Sequence, residues 1–151
     1  MMGGYLFLKL DELKNKFVAV LNKKILSGSL MNALAHMSAG LSGSYPNILE
    51  LRFNSYFDKD SGDHKSISDH PFIILSADNS NQLRTLRNSL IETNIHFNDF
   101  TSTMTVGTYA EQKERTKNTP ESELEYWGVC AFGNKEILNQ LTRKFSLWKN
   151  S

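Results

Sequence analysis

The stretch Leu21–Leu41, LNKKILSGSLMNALAHMSAGL, decides how this chain is read. It follows the apolar run Phe17-Val18-Ala19-Val20, so residues 16–21 read as a buried strand. The chain then turns through Ser27-Gly28-Ser29 and enters a helix over 29–41. At 3.6 residues per turn, Leu30, Leu34, Met37 and Leu41 stack on one side of that helix. Ser29, Asn32, His36 and Gly40 gather on another. Ser27 or Ser29 is the expected N-cap, and Gly40, Gly43 and Pro46 the expected end. Ligands often bind where a strand of an α/β sheet gives way to a helix. Here that place carries a histidine.

Working outward, Asn47–Phe53 alternates Ile48, Glu50 and Arg52 against Leu49, Leu51 and Phe53, the period of a half-exposed strand. Residues 58–70 are polar and read as a loop or hairpin tip. Pro71 opens Phe72-Ile73-Ile74-Leu75, a run suited to a central strand. Asn79 or Ser80 caps a helix with Leu83, Leu86, Leu90 and Ile91 on its apolar face, and Asn94 suits a left-handed C-terminal position. Ile95–Phe100 alternates as a strand. In 101–125 a capping box at Thr108–Glu111 and a proline at Pro120 fit two short surface helices. Tyr126–Phe132 is a buried strand, Asn134 caps a last helix, and residues 145–148 close the chain. The order β-α-β-β-α-β-(α)-β-α-(β) gives an α/β fold: three layers, with a mixed four-to-five-stranded sheet and helices on both faces.

A chain of 151 residues has the size of one domain. We expect a lead-in over 1–15, with a flexible start at Met1–Gly4 and a short helix or extended segment over 5–15, then a single domain over 16–151. No apolar run reaches the length of a bilayer span, and Tyr5–Leu8, broken by Lys9 and Asp11, is too short for a signal core. The single cysteine, Cys130, excludes an intrachain disulfide and agrees with a reducing compartment, so a cytoplasmic location is expected. Seventeen basic and sixteen acidic residues leave a net charge of +1, which speaks against a life spent gripping phosphate backbones.

His36 is the leading candidate for chemistry, because a neutral imidazole suits acid–base work near pH 7. The alternative is a helix histidine bonded to a carbonyl or to Asn32. Asp99 sits at a strand end, where it can orient a histidine or simply cap the turn. N–H groups at Gly28 and Ser29 could steady an anion, as at most strand–helix turns. The acids and histidines of 58–70 resemble a calcium loop but fail it: Gly62 comes one place early and no glutamate closes the loop. No metal or cofactor is called for. Cys130 reads as a buried, inert thiol. Lys113, Arg115 and Lys117 alternate with acids and read as a solvated helix face.

Gly28-Ser29-Leu30-Met31-Asn32-Ala33-Leu34-Ala35-His36 resembles the first-helix motif of the type-II peptidyl-tRNA hydrolases. Pro71–Leu75 with its following helix, Asp99–Thr103, and Trp127–Trp148 resemble later segments of that family in the same order. The sequence resembles more closely an uncharacterised bacterial family of unknown function within that superfamily. It shares Leu21-Asn22, Asn32 with His36, Asp99-Phe100-Thr101 and Leu147-Trp148. The resemblance implies a peptidyl-tRNA hydrolase II-like fold and retains His36, Asp99 and Thr103 as catalytic candidates. The chain also departs from the hydrolases. Ser29 replaces their lysine, Ala33 their glutamine and Thr101 their glycine, and 104–125 is longer. The lost lysine argues against tRNA as substrate.

Three functions are in view. In a hydrolase of small molecules, Asp99 would orient His36 to activate water, Gly28 and Ser29 would hold the oxyanion, and Asn22 and Asn32 would position the substrate. In a binding module, the same pocket would hold a nucleotide or metabolite. In a peptidyl-tRNA hydrolase, Lys23, Lys24, Arg143 and Lys144 would form a basic surface beside the pocket. The oligomeric state is open in the sequence, with a homodimer, a common arrangement among soluble proteins, as one candidate assembly.

Overall fold

The computed structural model describes residues 13–149. The expectations for residues 1–12 lie outside the described residues. The first strand, β1 (Asn15–Asn22), is buried on both faces from Lys16 onward. Phe17, Ala19 and Leu21 face one layer, while Val18 and Val20 face the other. That two-sided burial explains why its sequence runs apolar without alternation.

Helix α1 (Ser27–Ser44) covers the first face with Leu30, Ala33, Met37 and Leu41. Burying its three larger side chains contributes roughly 2 kcal/mol each. The start differs from the expected serine cap: Leu26 is the N-cap, and no side chain caps the first turn. Gly40 and Gly43 lie within the helix rather than ending it. Tyr45 breaks it in an extended conformation, as the residue before Pro46 is pressed to do.

The second correction concerns 47–53. Asn47 accepts a hydrogen bond from Leu49 N and draws Ile48–Leu51 into a 3-10 turn. Arg52 then takes a positive φ of 54°. The alternation misled because Leu49 is 82% exposed while Leu51 is fully buried, so the apolar set shares no buried face. The strand begins only at β2 (Phe53–Phe57), which pairs antiparallel with β3 (Asp63–Ser68) as a separate exposed hairpin. Its tip falls within the polar stretch expected to turn there.

Strand β4 (Phe72–Ala77) lies parallel to β1. Helix α2 (Ser80–Glu92), capped by Asn79, covers the second face with Leu83, Leu86 and Leu90. Asn94 holds φ 56°, the left-handed exit that the sequence suggested. Next come β5 (His96–Thr101), α3 (Tyr109–Lys117), β6 (Tyr126–Asn134), α4 (Lys135–Leu141) and β7 (Ser146–Leu147). The capping box at Thr108 and Glu111 forms as read, and Pro120 precedes only a 3-10 turn, Glu121–Glu123. Five strands form one mixed sheet in the order β5-β6-β1-β4-β7. With α1 on one face and α2 and α4 on the other, the three-layer expectation is met at the level of a mixed α/β fold. No helix among the described residues is long and apolar enough to cross a membrane.

Candidate functional site

Strands β1, β4 and β5 run in one direction, so their C-terminal ends gather at one edge of the sheet. There an open groove of about 1270 Å³ lies between α1, the end of β5, the start of β6 and α3. The helix contributes Gly28, Ser29, Asn32 and His36, the stripe that periodicity placed opposite the buried leucines. Asn32 and His36 are exposed, one turn apart.

The floor is aromatic. The His36 ring stands 6.2 Å from Phe100 at 31°, and Phe100 stands 5.8 Å from Trp127 at 33°. A β-bulge makes this run of rings. Phe100 pairs with Gly128, but Thr101 pairs with Tyr126, leaving Trp127 as the extra residue. Strict alternation would send Trp127 to the α2 side. The bulge instead turns it to the α1 side and sends Tyr126 to the α2 side. Gly128 permits the close approach of α1: a Cβ there would stand 2.7 Å from Met37 Cε.

Helix α3 overhangs the groove with Tyr109, Gln112, Lys113, Thr116 and Lys117. It buries no residue of its own and is held by polar contacts. Thr116 Oγ1 donates to Thr103 Oγ1 at 2.8 Å, Arg115 donates to the carbonyls of Thr103 and Val106, and Gln112 Nε2 donates to Thr105 O. Lys113 Nζ lies 4.4 Å from the Tyr109 ring centroid.

Other candidates are drawn elsewhere. Along β5, His96, Asn98 and Phe100 face α1; Asn98 Nδ2 donates to Met37 O. Phe97 and Asp99 therefore face α2. Asp99 borders the groove, but its Oδ2 accepts from Arg87 Nε at 3.0 Å. Burial raises the Asp99 carboxyl above the usual range, even though the guanidinium pulls it down. No hydrogen bond joins His36 to Asp99, and β5 sets their side chains on opposite sides of the sheet, which corrects the expected relay. Thr103 is buried, with its hydroxyl shared between Thr101 and Thr116, so it anchors α3. Asn22 is buried too. Its amide donates to Tyr126 O and its oxygen accepts from Lys24 N, so it ties β1 to β6 rather than facing a ligand.

Lys23 and Lys144 line a different crevice, with Lys149 and Trp148 on the β4–β7 side. Lys23 is paired there with Asp78 at 2.8 Å. Among the described residues the groove's own cations are Lys113 and Lys117, both exposed, as the solvated helix face read from the sequence requires. Phe100, Trp127, Tyr109 and Gln112 were missed as site residues. The bulge that turns Trp127 has no sequence signature. Phe100 shares a register face with Asn98, a legible signal that the attention to Asp99 obscured.

Among the described residues, no group of three or more His, Cys, Asp or Glu side chains is placed to hold a metal ion. At the hairpin tip Asp58 instead caps Asp60 N and Gly62 N and meets His64 Nε2. Burial pushes the Cys130 thiol up to about 12.

Residues 15–149 match the family described as proteins of unknown function, DUF2000. The fold is similar to a solved structure of a protein of unknown function from Agrobacterium tumefaciens strain C58. The TM-score is 0.77 at 16% identity, covering 90% of this chain and 98% of that one. No curated protein matches the chain.

Proposed function

The chain belongs to the DUF2000 family of proteins of unknown function, and from that premise we propose that it binds a small planar ligand in the groove. The ligand lies against the half-buried Trp127 ring, which packs on the buried Phe100, and meets Asn32 and His36 at its edge. One observation carries this reading: the His36 and Trp127 rings line an open groove on either side of the buried Phe100, while Asp99, the carboxylate that borders it, is held by Arg87. Flat rings offer ring-stacking area and amide side chains offer hydrogen bonds, a combination common in sites for planar compounds.

Hydrolysis by a His36–Asp99 relay has less support, because a general base needs its orienting partner within hydrogen-bond reach. We infer kinship with the type-II peptidyl-tRNA hydrolases from the Gly28–His36 and Trp127–Trp148 motifs. A tRNA substrate has weaker support: Ser29 stands where the hydrolases carry lysine, and Lys23 and Lys144 lie in another crevice.

Thermal denaturation against a panel of planar heterocyclic metabolites tests the proposal. A ligand at a hundred times its Kd stabilises by about 2.7 kcal/mol. The expected result is a melting shift in the wild type that is lost in Trp127→Ala. No shift with any compound, or an equal shift in the variant, overturns the reading.

A further inference from the structure

The groove's charge is one-sided. On α3, Tyr109, Lys113 and Lys117 follow at intervals of four residues and form one row along its wall. Facing them is the first turn of α1, with no acidic side chain and no side-chain cap. Among the described residues the only carboxylate on the lining is Asp99, whose charge is directed to Arg87. Neither lysine forms an ion pair with an acid among the described residues. An aromatic wall beside two ammonium groups without acidic partners among the described residues, Lys113 resting over the Tyr109 ring, suits a ligand that is flat at one end and anionic at the other. The Asn32 amide on the lining can donate and accept, as the edge of a nucleobase requires, while Gln112 Nε2 donates to Thr105 O and Gly107 O and leaves only its oxygen to accept.

Resting on the proposed binding role, we infer that the ligand is a nucleotide, with its base against Trp127 and its phosphate at Lys113 and Lys117. Stacking tolerates any base because every base presents a π-face. The lysines supply a charge attraction that salt weakens.

The test is calorimetric titration of the full chain with the four ribonucleosides, their 5′-monophosphates and inorganic phosphate, at low and high salt. At least one monophosphate should bind about tenfold more tightly than its nucleoside at low salt, an advantage of the size expected for two partly screened charge contacts. The advantage should vanish in Lys113→Gln/Lys117→Gln and shrink at high salt, while Trp127→Ala weakens nucleoside and monophosphate alike. Equal binding of nucleoside and monophosphate overturns the phosphate assignment. So does an advantage that survives the double substitution, or inorganic phosphate binding as tightly as the monophosphates. If no nucleoside or nucleotide binds but another planar compound of the panel does, the nucleotide inference falls and the groove reading stands. If nothing planar binds, both fall.

Discussion

Replacing Arg87 by methionine leaves the Asp99 carboxylate without its partner and tests whether that pair serves the fold. The guanidinium and carboxylate meet at 3.0 Å, with side chains 28% and 18% exposed. Breaking a fully buried pair from one side costs about 3–5 kcal/mol, and a surface pair is worth about 0–1 kcal/mol. The partial exposure here places the loss at about 2 kcal/mol near pH 7. Asp99→Asn keeps an acceptor for Arg87 and costs about 1 kcal/mol. The pH dependence has a definite sign. Burial, the largest influence, already raises the Asp99 carboxyl, and Arg87 is what restrains it. Without Arg87 the folded-state carboxyl titrates higher still. A carboxyl raised on folding stabilises the native state only while protonated. The deficit of Arg87→Met is therefore full above the variant's raised titration. It fades as pH falls through that range and is gone once the wild-type carboxyl is protonated too. Urea unfolding followed by circular dichroism between pH 4 and pH 8 measures it, with the His36 ring resonances recorded in Asp99→Asn. A deficit that grows on acidification, or His36 resonances displaced by Asp99→Asn, would refute the reasoning.

Trp127→Ala should weaken binding of a stacked ligand about tenfold or more, since stacking on an aromatic is worth about 1–3 kcal/mol per base; undiminished affinity by calorimetry would remove Trp127 from the site. Gly128→Ala forces Met37 Cε and Leu21 Cδ2 to move, since a Cβ would meet them at 2.7 and 2.9 Å. Both are flexible side-chain ends, so the cost is about 1–2 kcal/mol in urea unfolding, and full wild-type stability would show that α1 has slack there. Thr103→Val removes the hydroxyl shared with Thr101 and Thr116, and hydrogen exchange should quicken in α3 while β1 and β6 keep their protection. Unchanged α3 exchange would mean that Arg115 and Gln112 suffice. Cys130, with its thiol pushed up to about 12 by burial, should resist a thiol reagent in native buffer and react once unfolded; prompt native reaction would contradict its burial.

Much of the fold was legible because it rests on local rules. Phe17–Val20 carries no alternation, as a strand buried on both faces should not. Asn79, Thr108 and Asn134 each cap the helix assigned to them. The segment 47–53 failed for a local reason: the Asn47 side chain caps Leu49 N and turns an alternating segment into a 3-10 turn. Part of the groove lining was legible as well, since one helix face fixes Ser29, Asn32 and His36 together. The error at Asp99 was one of face. Adjacent strand residues point oppositely, so naming Asp99 rather than Asn98 or Phe100 chose the side of Arg87. Trp127 was beyond reach because its direction depends on a bulge in the pairing of β5 with β6.

The most direct measurement is a map of backbone and indole N–H chemical-shift changes while the full chain is titrated with each of the four ribonucleoside 5′-monophosphates in turn. The account predicts, with at least one of them, changes confined to Gly28, Ser29, Asn32, His36, residues 104–117 and the Trp127 indole. Changes centred on Lys23, Lys144 and Trp148, or on the hairpin at 53–68, or none with any of the four at saturation, would contradict it.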